Sequence, residues 1–560
     1  MKNFFAVSRR ELLVMLIVFV TASLPLMTVN CINGHDLEYH LLRIEALKTG
    51  IENGLPFLRV NMLFFGGEGY ASSMFYPDFL LYIPAILRAL GVGINLSYHS
   101  FVAVCIALTV VSSFYCAKYI TGSSLAALTA MAVTVLYQYH IDDIYTRSAV
   151  GEFTAAIFVP LVIAGVYDLI YKDLKRPQIL GAGAAGVVLC HTITTGYCII
   201  LCVLGLVFYV IRYVRAVRGV DLANNGAEES RGNVFVRLVI TLLLVLAVTA
   251  FYWLPMLEQL LTTSFRFTES VFDLNYEKLL LKDIFKNANP GMGIAPFILL
   301  LPAAFITHGK DSRFADLCAL AGTMFMLSST GIIPWSRLQD ELSFLQFPWR
   351  AFIIVGPLLA LAAGVYIDAF VKQGGAAASG LAVMIVLAVM IVSAVGNYAR
   401  NDQGYYSYSD DYYDYARFTE NVIGGEWLPE GAEDRHKLSD DAEVAYTPAG
   451  ARLHVRREKN SLYVDLDSAE EYLDVPFLYY KGYEAKNTDT GEKLEIAPTG
   501  DNGRIRVYTG GAYHIFVHYP GTPLQHLSTI LSLAALAFLT ACLIKRKRGS
   551  RASETRENNI

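Results

Sequence analysis

Long apolar segments separated by short basic clusters constrain this chain more than any other feature. The first apolar segment, residues 12–29, follows Arg9 and Arg10, and the last, residues 527–544, precedes the basic residues 545–548. About 20 apolar residues are enough for a helix to cross a bilayer. Only 17% of the 560 residues are charged, against roughly 25% in soluble proteins, and the mean hydropathy is +0.42. The sequence therefore predicts a polytopic α-helical membrane protein.

The basic clusters fall on one side of the membrane if the chain is threaded through about twelve spans with both termini cytoplasmic. In this threading, residues 1–400 form a multi-span domain in the cell membrane, and residues 79–90 form an interfacial stretch too short to cross. The predicted external loops are residues 31–97, 140–149, 262–292 and 331–348. A final span over residues 526–545 and an unstructured basic and polar cytoplasmic tail over residues 546–560 follow.

Residues 401–525 change in character and predict an extracytoplasmic domain. Short alternating runs separated by Gly and Asp or Asn turns predict a small β-sandwich, and these runs are residues 452–456, 461–466, 504–509 and 512–519. Residues 405–413 are rich in Tyr and Asp. They predict a polar linker, with stacking of the aromatic rings on sugars as the alternative.

Charge and cysteine usage exclude two classes of protein. The net charge of −5 argues against a nucleic-acid partner. None of the 8 cysteines lies in residues 401–525, so no disulfide framework is expected there. No CxxC or zinc-finger spacing occurs either.

An acidic cluster, residues 34–43, lies just beyond the first apolar segment and therefore at a membrane surface. Asp36, His40 and Arg43 are spaced i, i+4 and i+7, which places them on one face of a helix. Such a face can hold a carboxylate base, a metal ion or a phosphate group, and polar clusters at membrane depth point to function. The alternative is a solvated loop with local charge pairing.

The threading brings polar side chains from three separate loops to the same external face. These side chains are Asp36, Asp142, Asp143, Arg147, Glu152 and Arg350. A transport pathway would instead place charges near the middle of the spans, often at broken helices. Convergence beside apolar walls therefore predicts a site on the external face.

The order of these features resembles the GT-C superfamily of membrane glycosyltransferases, which use polyprenyl-phosphate-linked sugars. More narrowly, the chain is similar to the bacterial membrane family labelled 6-pyruvoyl-tetrahydropterin synthase-related and to YfhO-like proteins, a label that implies no pterin chemistry. The matching stretches are residues 34–44, 69–70 with 75–78, 145–152, 347–350 and 425–429.

The resemblance implies roles for residues at the matching positions. Asp36 matches the acidic residue of the first external loop, which serves as a base or metal ligand in GT-C enzymes. Asp142, Asp143 and Glu152 lie where the second acidic group falls, and which of Asp142 and Asp143 corresponds to it stays open. Arg147 and Arg350 match positions suited to binding the lipid phosphate.

We therefore predict a glycosyltransferase that moves a sugar from a polyprenyl-phosphate donor to a cell-envelope glycan or protein acceptor on the extracytoplasmic face. Asp36 is the expected base and Glu38 the second candidate, with a salt bridge to Arg43 as the alternative role of Glu38. Guanidinium groups bind phosphate with paired hydrogen bonds, so the expected phosphate-binding residues are Arg350, Arg147 and Arg43. For Arg350, which lies beside Trp349 at the end of a span, anchoring at the membrane interface is the alternative. The expected substrate-lining residues are His35, His40, Tyr76 and Trp349.

A divalent metal ion, Mg²⁺ or Mn²⁺, is an open alternative that the sequence assigns to Asp36, His40 and Asp143, with His35 and Asp142 as further ligands. His191 is predicted to be a buried polar contact. Two other functions stay open: a transporter or flippase for a lipid-linked glycan, and a non-catalytic assembly factor of the cell envelope that holds a partner through residues 401–525.

Overall fold

The computed structural model describes residues 7–217, 228–266, 272–374, 377–401, 403–410, 425–432, 443–499 and 502–557. The chain is mostly helical up to Arg400, and all but two short strands lie after residue 443. The helices are α1 (Arg9–Ala22), α2 (Leu37–Glu52), α3 (Ser72–Phe75), α4 (Tyr82–Ala89), α5 (Ile94–Thr121), α6 (Ser124–Leu136), α7 (Gln138–Tyr145), α8 (Val150–Ala155), α9 (Val159–Lys172), α10 (Pro177–Val188), α11 (Thr192–Val217), α12 (Glu228–Thr262), α13 (Leu274–Glu277), α14 (Leu281–Ile284), α15 (Ala295–Ile298), α16 (Arg313–Ser328), α17 (Gln339–Leu342), α18 (Phe352–Gly374), α19 (Ala377–Arg400) and α20 (Pro523–Glu557). The strands are β1 (Cys31–Ile32), β2 (Tyr405–Tyr406), β3 (Val444–Tyr446), β4 (Arg452–His454), β5 (Arg456–Glu458), β6 (Ser461–Asp465), β7 (Tyr472–Leu478), β8 (Glu484–Asn487), β9 (Lys493–Leu494), β10 (Ile496–Pro498), β11 (Arg504–Tyr508) and β12 (His514–His518).

Within the described residues, six helices are long and apolar enough to cross a membrane, or seven if the bent pair α6–α7 is one span. They are Ile94–Thr121, Thr192–Arg215, Asn233–Thr262, Pro348–Gln373, Ser379–Arg400 and Pro523–Lys545. The chain is thus a multi-pass membrane protein, but the predicted number of about twelve spans is not confirmed. Helices α1 and α9 have 14 residues each, α10 has 12 and α16 has 16, which is short of the roughly 20 that a crossing needs.

Two predicted spans are broken by local backbone geometry. Tyr137 has an extended backbone (φ −70°, ψ 152°), and α7 leaves α6 at an angle of 43°. Much of the predicted loop 140–149 is consequently helical, because α7 continues to Tyr145. Residues 150–171 divide into α8 and α9, and Pro160 lies in the first turn of α9, where the missing N–H leaves no helical hydrogen bond unmade.

Helix α18 lies at the centre of the bundle and packs against α6 and α16. In an 18-residue apolar stretch within Pro348–Gln373, 89% of the residues are buried. Gly364 lets α18 approach α6 closely, because a side chain at this position would collide with the carbonyl oxygen of Ala126. Since Arg350 directly precedes α18, this packing fixes the position of its backbone.

The predicted β-sandwich is present as two five-stranded antiparallel sheets, with strand orders β10-β11-β7-β3-β4 and β5-β6-β12-β8-β9. The predicted runs 461–466, 504–509 and 512–519 correspond to β6, β11 and β12. The run 452–456 is divided, since β4 pairs with β3 whereas β5 pairs with β6 in the other sheet. Strand β7 has no counterpart among the predicted runs.

The sandwich is fastened to the first long loop of the membrane domain. Arg504 of β11 donates to both carboxylate oxygens of Glu68, from Nε at 3.0 Å and from Nη2 at 2.5 Å, and both side chains are buried. The backbone N–H of Leu478 donates to the Glu68 carbonyl (2.9 Å). These bonds hold the sandwich against the loop that precedes Tyr76, which matters for the site below.

Two segments that flank the sandwich in the sequence differ from expectation. Part of the predicted linker 405–413 is a strand, because Tyr405 and Tyr406 pair with β1, while residues 411–413 lie outside the described part of the chain. Helix α20 continues to Glu557. Residues 546–557 are therefore helical and do not form the unstructured tail that the sequence predicted.

Candidate functional site

Asp36 is held at the start of α2 by the short segment between α7 and α8. The backbone N–H of His35 donates to the Thr146 carbonyl (3.1 Å), and that of Asp36 donates to the Arg147 carbonyl (2.9 Å). These two bonds bring together the first predicted loop and the second acidic segment, as the threading of the sequence led us to expect.

The Asp36 carboxylate is half-buried, and no described residue donates a hydrogen bond to it. Burial raises the pKa of Asp36 to about 6, although the positive charges of Arg147 and Arg350 oppose the rise and the charge of Glu152 adds to it. A carboxylate with this pKa is ionised near neutral pH and can still take up a proton.

Arg147 lies at the centre of a buried ion cluster. Its Nη1 donates to Asp143 Oδ1 (2.5 Å) and its Nη2 donates to Glu152 Oε1 (2.8 Å), while its guanidinium carbon is 4.7 Å from the centre of the Trp349 ring. The other oxygen of Glu152 accepts a hydrogen bond from Tyr139 Oη (2.6 Å). Both oxygens of Glu152 are thus engaged, so this carboxylate is placed to orient arginines rather than to accept a substrate proton.

Arg350 reaches the same carboxylate from the start of α18. Its Nε is 3.1 Å from Glu152 Oε1, an ion-pair distance without hydrogen-bond alignment. Its Nη1 donates to Gln346 Oε1 (2.6 Å) and the Leu345 carbonyl (3.3 Å). No described residue accepts a bond from Nη2, and 12% of the side chain is exposed. Arg350 therefore keeps donor capacity for a ligand beside Asp36.

Asp142 and Asp143, which the sequence left as alternatives, point in different directions. Asp142 accepts from Asn397 Nδ2 (3.0 Å) and Gln138 Nε2 (2.9 Å), so it ties α7 to α19. Asp143 Oδ1 is bound by Arg147, and its Oδ2 is buried with no partner among the described residues. Asp143 belongs to the ion cluster next to Asp36, and Asp142 does not.

Arg43 and His40 lie in a separate, enclosed cluster. Arg43 Nη2 donates to Asp78 Oδ1 (2.5 Å) and to the Tyr76 and Pro77 carbonyls (3.0 and 2.9 Å), and Nη1 is 3.2 Å from His40 Nδ1. Both Arg43 and His40 have no exposed surface. Burial lowers the pKa of His40 well below its usual value, and the charge of Arg43 acts in the same direction. The one-face pattern of Asp36, His40 and Arg43 thus divides between two clusters.

The remaining predicted residues lie around these clusters. Glu38 is half-buried, with the Tyr408 hydroxyl 3.5 Å from its carboxylate, and it does not pair with Arg43. His35 is exposed. The Trp349 ring stacks on Phe347 with ring centres 4.8 Å apart, so Trp349 supports Arg147 from one side.

Tyr76 links the two clusters, and His191 lies beside it. The Tyr76 ring is 4.3 Å from the Arg43 guanidinium, and its hydroxyl accepts a hydrogen bond from Gly151 N–H (3.0 Å). The His191 ring centre is 6.2 Å from that of Tyr76, and His191 Nδ1 is fixed by Thr194 Oγ1 (2.8 Å). A side chain at Gly151 would collide with both rings. His191 is buried as predicted, but its place beside the ion cluster could not be found from the sequence.

Trp427 and Glu426 form a further wall that the sequence did not assign to the site. The half-buried Trp427 ring lies 6.0 Å from Tyr76 and is parallel to Phe75, also at 6.0 Å. The charge of Glu426 acts on Tyr39, a neighbour of His40. These residues lie in the stretch 425–429, which matches the resembled family. Nothing in the sequence indicated that this stretch contacts residues about 350 positions earlier.

A family model described as "Family of unknown function (DUF6541)" matches residues 10–423. The chain belongs to this family. The narrower predicted families, 6-pyruvoyl-tetrahydropterin synthase-related and YfhO-like, are not confirmed. The DUF6541 match contains Asp36, Arg147 and Arg350 and ends before the sandwich.

One curated relative of this DUF6541 protein is an uncharacterized protein of Lactococcus lactis subsp. cremoris (strain MG1363). It is 23% identical over 283 residues, which are 49% of this chain and 44% of the relative. The match therefore spans less than half the length of that relative.

Three solved structures are similar to this chain in arrangement. They are the mycobacterial arabinofuranosyltransferase AftD (13% identity, 72% of this chain and 27% of that chain, TM-score 0.46), the Archaeoglobus fulgidus oligosaccharyltransferase AglB with an inhibitory peptide and a dolichol-phosphate (12%, 77% and 59%, 0.40), and ArnT of Cupriavidus metallidurans bound to undecaprenyl phosphate (16%, 70% and 72%, 0.37). Because the TM-scores are below 0.5, the activity of this chain is inferred from its own residues.

The predicted metal ligands do not come together. In the described part of the chain, no group of three His, Cys, Asp or Glu side chains is arranged to hold a metal ion. His40 Nδ1 lies against Arg43, and Asp143 Oδ1 is bound by Arg147, so these two atoms are engaged by arginines. The metal ion stays a prediction.

The arrangement combines one unbonded carboxylate, two arginines and an aromatic wall at an end of an apolar helix bundle. Asp36 can accept a proton, and Arg350 can donate hydrogen bonds to an anion next to it. Transfer of a group from an anionic leaving group to a hydroxyl requires both functions.

Proposed function

We propose that this protein is a GT-C-type glycosyltransferase that moves a sugar from a polyprenyl-phosphate donor to a hydroxyl acceptor of the cell envelope, at an extracytoplasmic site. One observation carries the proposal. The Asp36 carboxylate, which accepts no hydrogen bond from a described residue, lies close enough to Arg350 for the charge of Arg350 to lower its pKa, and Arg350 Nη2 has no acceptor among the described residues. The sequence resemblance supplies the donor class, and the site supplies the chemistry.

In the proposed reaction, the acceptor hydroxyl donates its proton to Asp36, and its oxygen attacks the anomeric carbon of the sugar. The bond between that carbon and the phosphate oxygen breaks, and the polyprenyl phosphate leaves with the electron pair. Arg350 binds the phosphate and offsets its growing charge. No step requires any group other than donor, acceptor and these side chains.

Arg147 and Glu152 act as positioning residues in this scheme. Arg147 is held by Asp143 and Glu152 and packs against Trp349, so its charge is fixed near Asp36. Glu152 receives Arg147 and approaches Arg350, which fixes the distance between the two guanidinium groups. Arg43 is enclosed and takes no part in phosphate binding.

The test uses the full-length protein in lipid nanodiscs with a panel of undecaprenyl-phosphate sugars and measures release of undecaprenyl phosphate. Wild-type protein should release it, and Asp36→Asn should not. The proposal fails if no donor yields product, or if labelled lipid-linked glycan crosses vesicles without covalent change. The latter result would instead establish a transporter.

A further inference from the structure

His191 is a buried histidine beside the candidate site, and the reaction proposed above does not use it. It directly precedes α11, and only 7% of its surface is exposed. The backbone N–H of Thr194 donates to His191 Nδ1 (3.3 Å), and the Thr194 hydroxyl lies 2.8 Å from the same nitrogen. The His191 carbonyl accepts from the backbone N–H of Thr195 (3.0 Å). His191 is therefore the N-terminal cap of α11, and its ring nitrogen takes the role that a side-chain oxygen usually has.

This cap determines which nitrogen of the His191 ring carries a proton. A nitrogen that accepts a hydrogen bond from a backbone N–H has no proton of its own, so Nδ1 is unprotonated. The ring is then neutral, in agreement with its burial, which disfavours the charged form. Its single proton is on Nε2, and this nitrogen is consequently a hydrogen-bond donor.

The Nε2 edge of the His191 ring faces the ion cluster. Gly151, which precedes Glu152 in α8, comes so close that a Cβ on it would lie 2.8 Å from His191 Cδ2, the carbon bonded to Nε2. The charges of Glu152, Arg350 and Arg147 all act on the ring. No described residue accepts a hydrogen bond from Nε2. A buried donor beside the site is thus left for a ligand to satisfy.

The Glu152 carboxylate is already engaged at both oxygens. One oxygen is bound by Arg147 and approached by Arg350, and the other accepts from a tyrosine hydroxyl. Arg350 Nη2, like His191 Nε2, has no acceptor among the described residues. The charge of Arg350 also acts on Tyr197 in the second turn of α11, so its guanidinium group lies near the beginning of that helix. Two donors without acceptors therefore lie in one neighbourhood.

We propose that His191 Nε2 donates a hydrogen bond to the phosphate of the polyprenyl-phosphate donor, next to Arg350, and this proposal rests on the proposed function. One anion satisfies both donors, and a hydrogen bond to a charged acceptor is stronger than one between neutral groups. The N-terminus of α11, a helix of 26 residues, favours negative charge at the same place. Thr194, which holds Nδ1, is a positioning residue.

Native mass spectrometry of the full-length protein in a neutral detergent can compare the binding of undecaprenyl phosphate with that of undecaprenol. His191→Asn keeps an acceptor for the Thr194 N–H near the position of Nδ1 and lacks a donor at the position of Nε2. It should bind undecaprenyl phosphate about tenfold more weakly than wild type, because one hydrogen bond to a charged group is lost. Its affinity for undecaprenol, which has no phosphate, and its thermal unfolding midpoint should equal those of wild type. His99→Asn is the matched control, since His99 of α5 is a histidine of similar exposure (8%), and it should bind both lipids as wild type does.

A second pair of variants tests the same nitrogen if His191→Asn does not fold. His191→Gln carries an amide N–H near the position of Nε2, whereas His191→Leu has no donor. The Gln variant should bind undecaprenyl phosphate within about threefold of wild type, and the Leu variant about tenfold more weakly.

Two outcomes would overturn the role of His191 and leave the proposed function standing. The first is equal binding of undecaprenyl phosphate by wild type and the folded Asn or Leu variant. The second is an equal loss of affinity for undecaprenol, which would show that His191 acts on the fold and not on the phosphate. Wild-type protein that binds undecaprenyl phosphate no better than undecaprenol would overturn this proposal and contradict the proposed function as well.

Discussion

Two clusters that contain arginine lie close to each other in this protein, and they differ in their exposure to solvent. The closed cluster consists of His40, Arg43 and Asp78, and the open cluster consists of Asp36, Arg147, Glu152 and Arg350. Arg43 has no exposed surface and is bound by a carboxylate and two carbonyls. Arg350 keeps 12% of its side chain exposed. Tyr76 lies between the clusters.

The difference shows that accessibility, and not the presence of a charge near a membrane surface, separates a structural cluster from a ligand site. Arg43 Nε and His40 Nε2 of the closed cluster have no partner among the described residues, yet they are buried and cannot be reached without rearrangement. In the open cluster, the half-buried Asp36 is reachable. Substitutions in the open cluster should therefore change activity, and those in the closed cluster should change stability.

The largest expected effect is that of Asp36→Asn. The amide keeps the shape of the side chain but cannot take a proton, so turnover should fall by about 10² to 10⁴. Because no described side chain bonds to the Asp36 carboxylate, the thermal unfolding midpoint in detergent should stay close to that of wild type. Glu38→Gln is the control and should keep near-normal turnover. An Asp36→Asn protein that turns over normally would remove Asp36 from the reaction.

The next largest effect should come from breaking the closed cluster. Arg43→Met leaves Asp78 buried without its cation, which costs about 3–5 kcal/mol of unfolding free energy. The double variant Arg43→Met/Asp78→Leu removes both charges and should recover most of this loss. Thermal unfolding of the two purified variants measures the difference. If Arg43→Met is instead stable and loses donor binding, the two clusters have been assigned the wrong way round.

The sequence predicted the architecture better than the membership of the two clusters. Apolar length and alternating runs were sufficient for a multi-pass helical domain and a β-sandwich, because both patterns are local. The predicted number of spans is not confirmed, since Tyr137 bends one apolar run and short helices such as α10 are apolar without being long enough by themselves. Hydropathy does not record where a backbone bends.

Helical periodicity placed Asp36, His40 and Arg43 on one face, yet Asp36 is the N-terminal cap of α2 and lies outside its regular turns. The i, i+4, i+7 spacing therefore does not place Asp36 on the same helix face as His40 and Arg43. The partner of Arg43 is Asp78, and Trp427 approaches Tyr76 from the far end of the chain. Contacts of this range depend on packing between segments, which no spacing within one segment reveals.

Arg350→Ala should affect activity less than Asp36→Asn and leave folding intact. Glu152 remains paired with Arg147 in this variant, so no buried carboxylate is left without a cation. Loss of one phosphate contact should weaken donor binding by about 10- to 100-fold, measured by titration with undecaprenyl phosphate. Arg337→Ala, in the same loop region and exposed, is the matched control. Equal donor affinity of Arg350→Ala and wild type would mean that the phosphate lies elsewhere.

The smallest effect is a shift in the pH dependence of turnover. Because the pKa of Asp36 is raised to about 6, the active carboxylate form should predominate above pH 6 and decline to about one tenth at pH 5. Arg350 opposes this rise in wild type, so Arg350→Gln should raise the pKa further and move the acidic limb of kcat/KM to higher pH. Arg337→Gln should leave the limb in place. Glu152 and Arg147 also act on Asp36, and the ion pair between them is kept in these variants. A wild-type midpoint near pH 4 would assign the limb to a different carboxylate, and an unmoved midpoint in Arg350→Gln would separate Arg350 from Asp36.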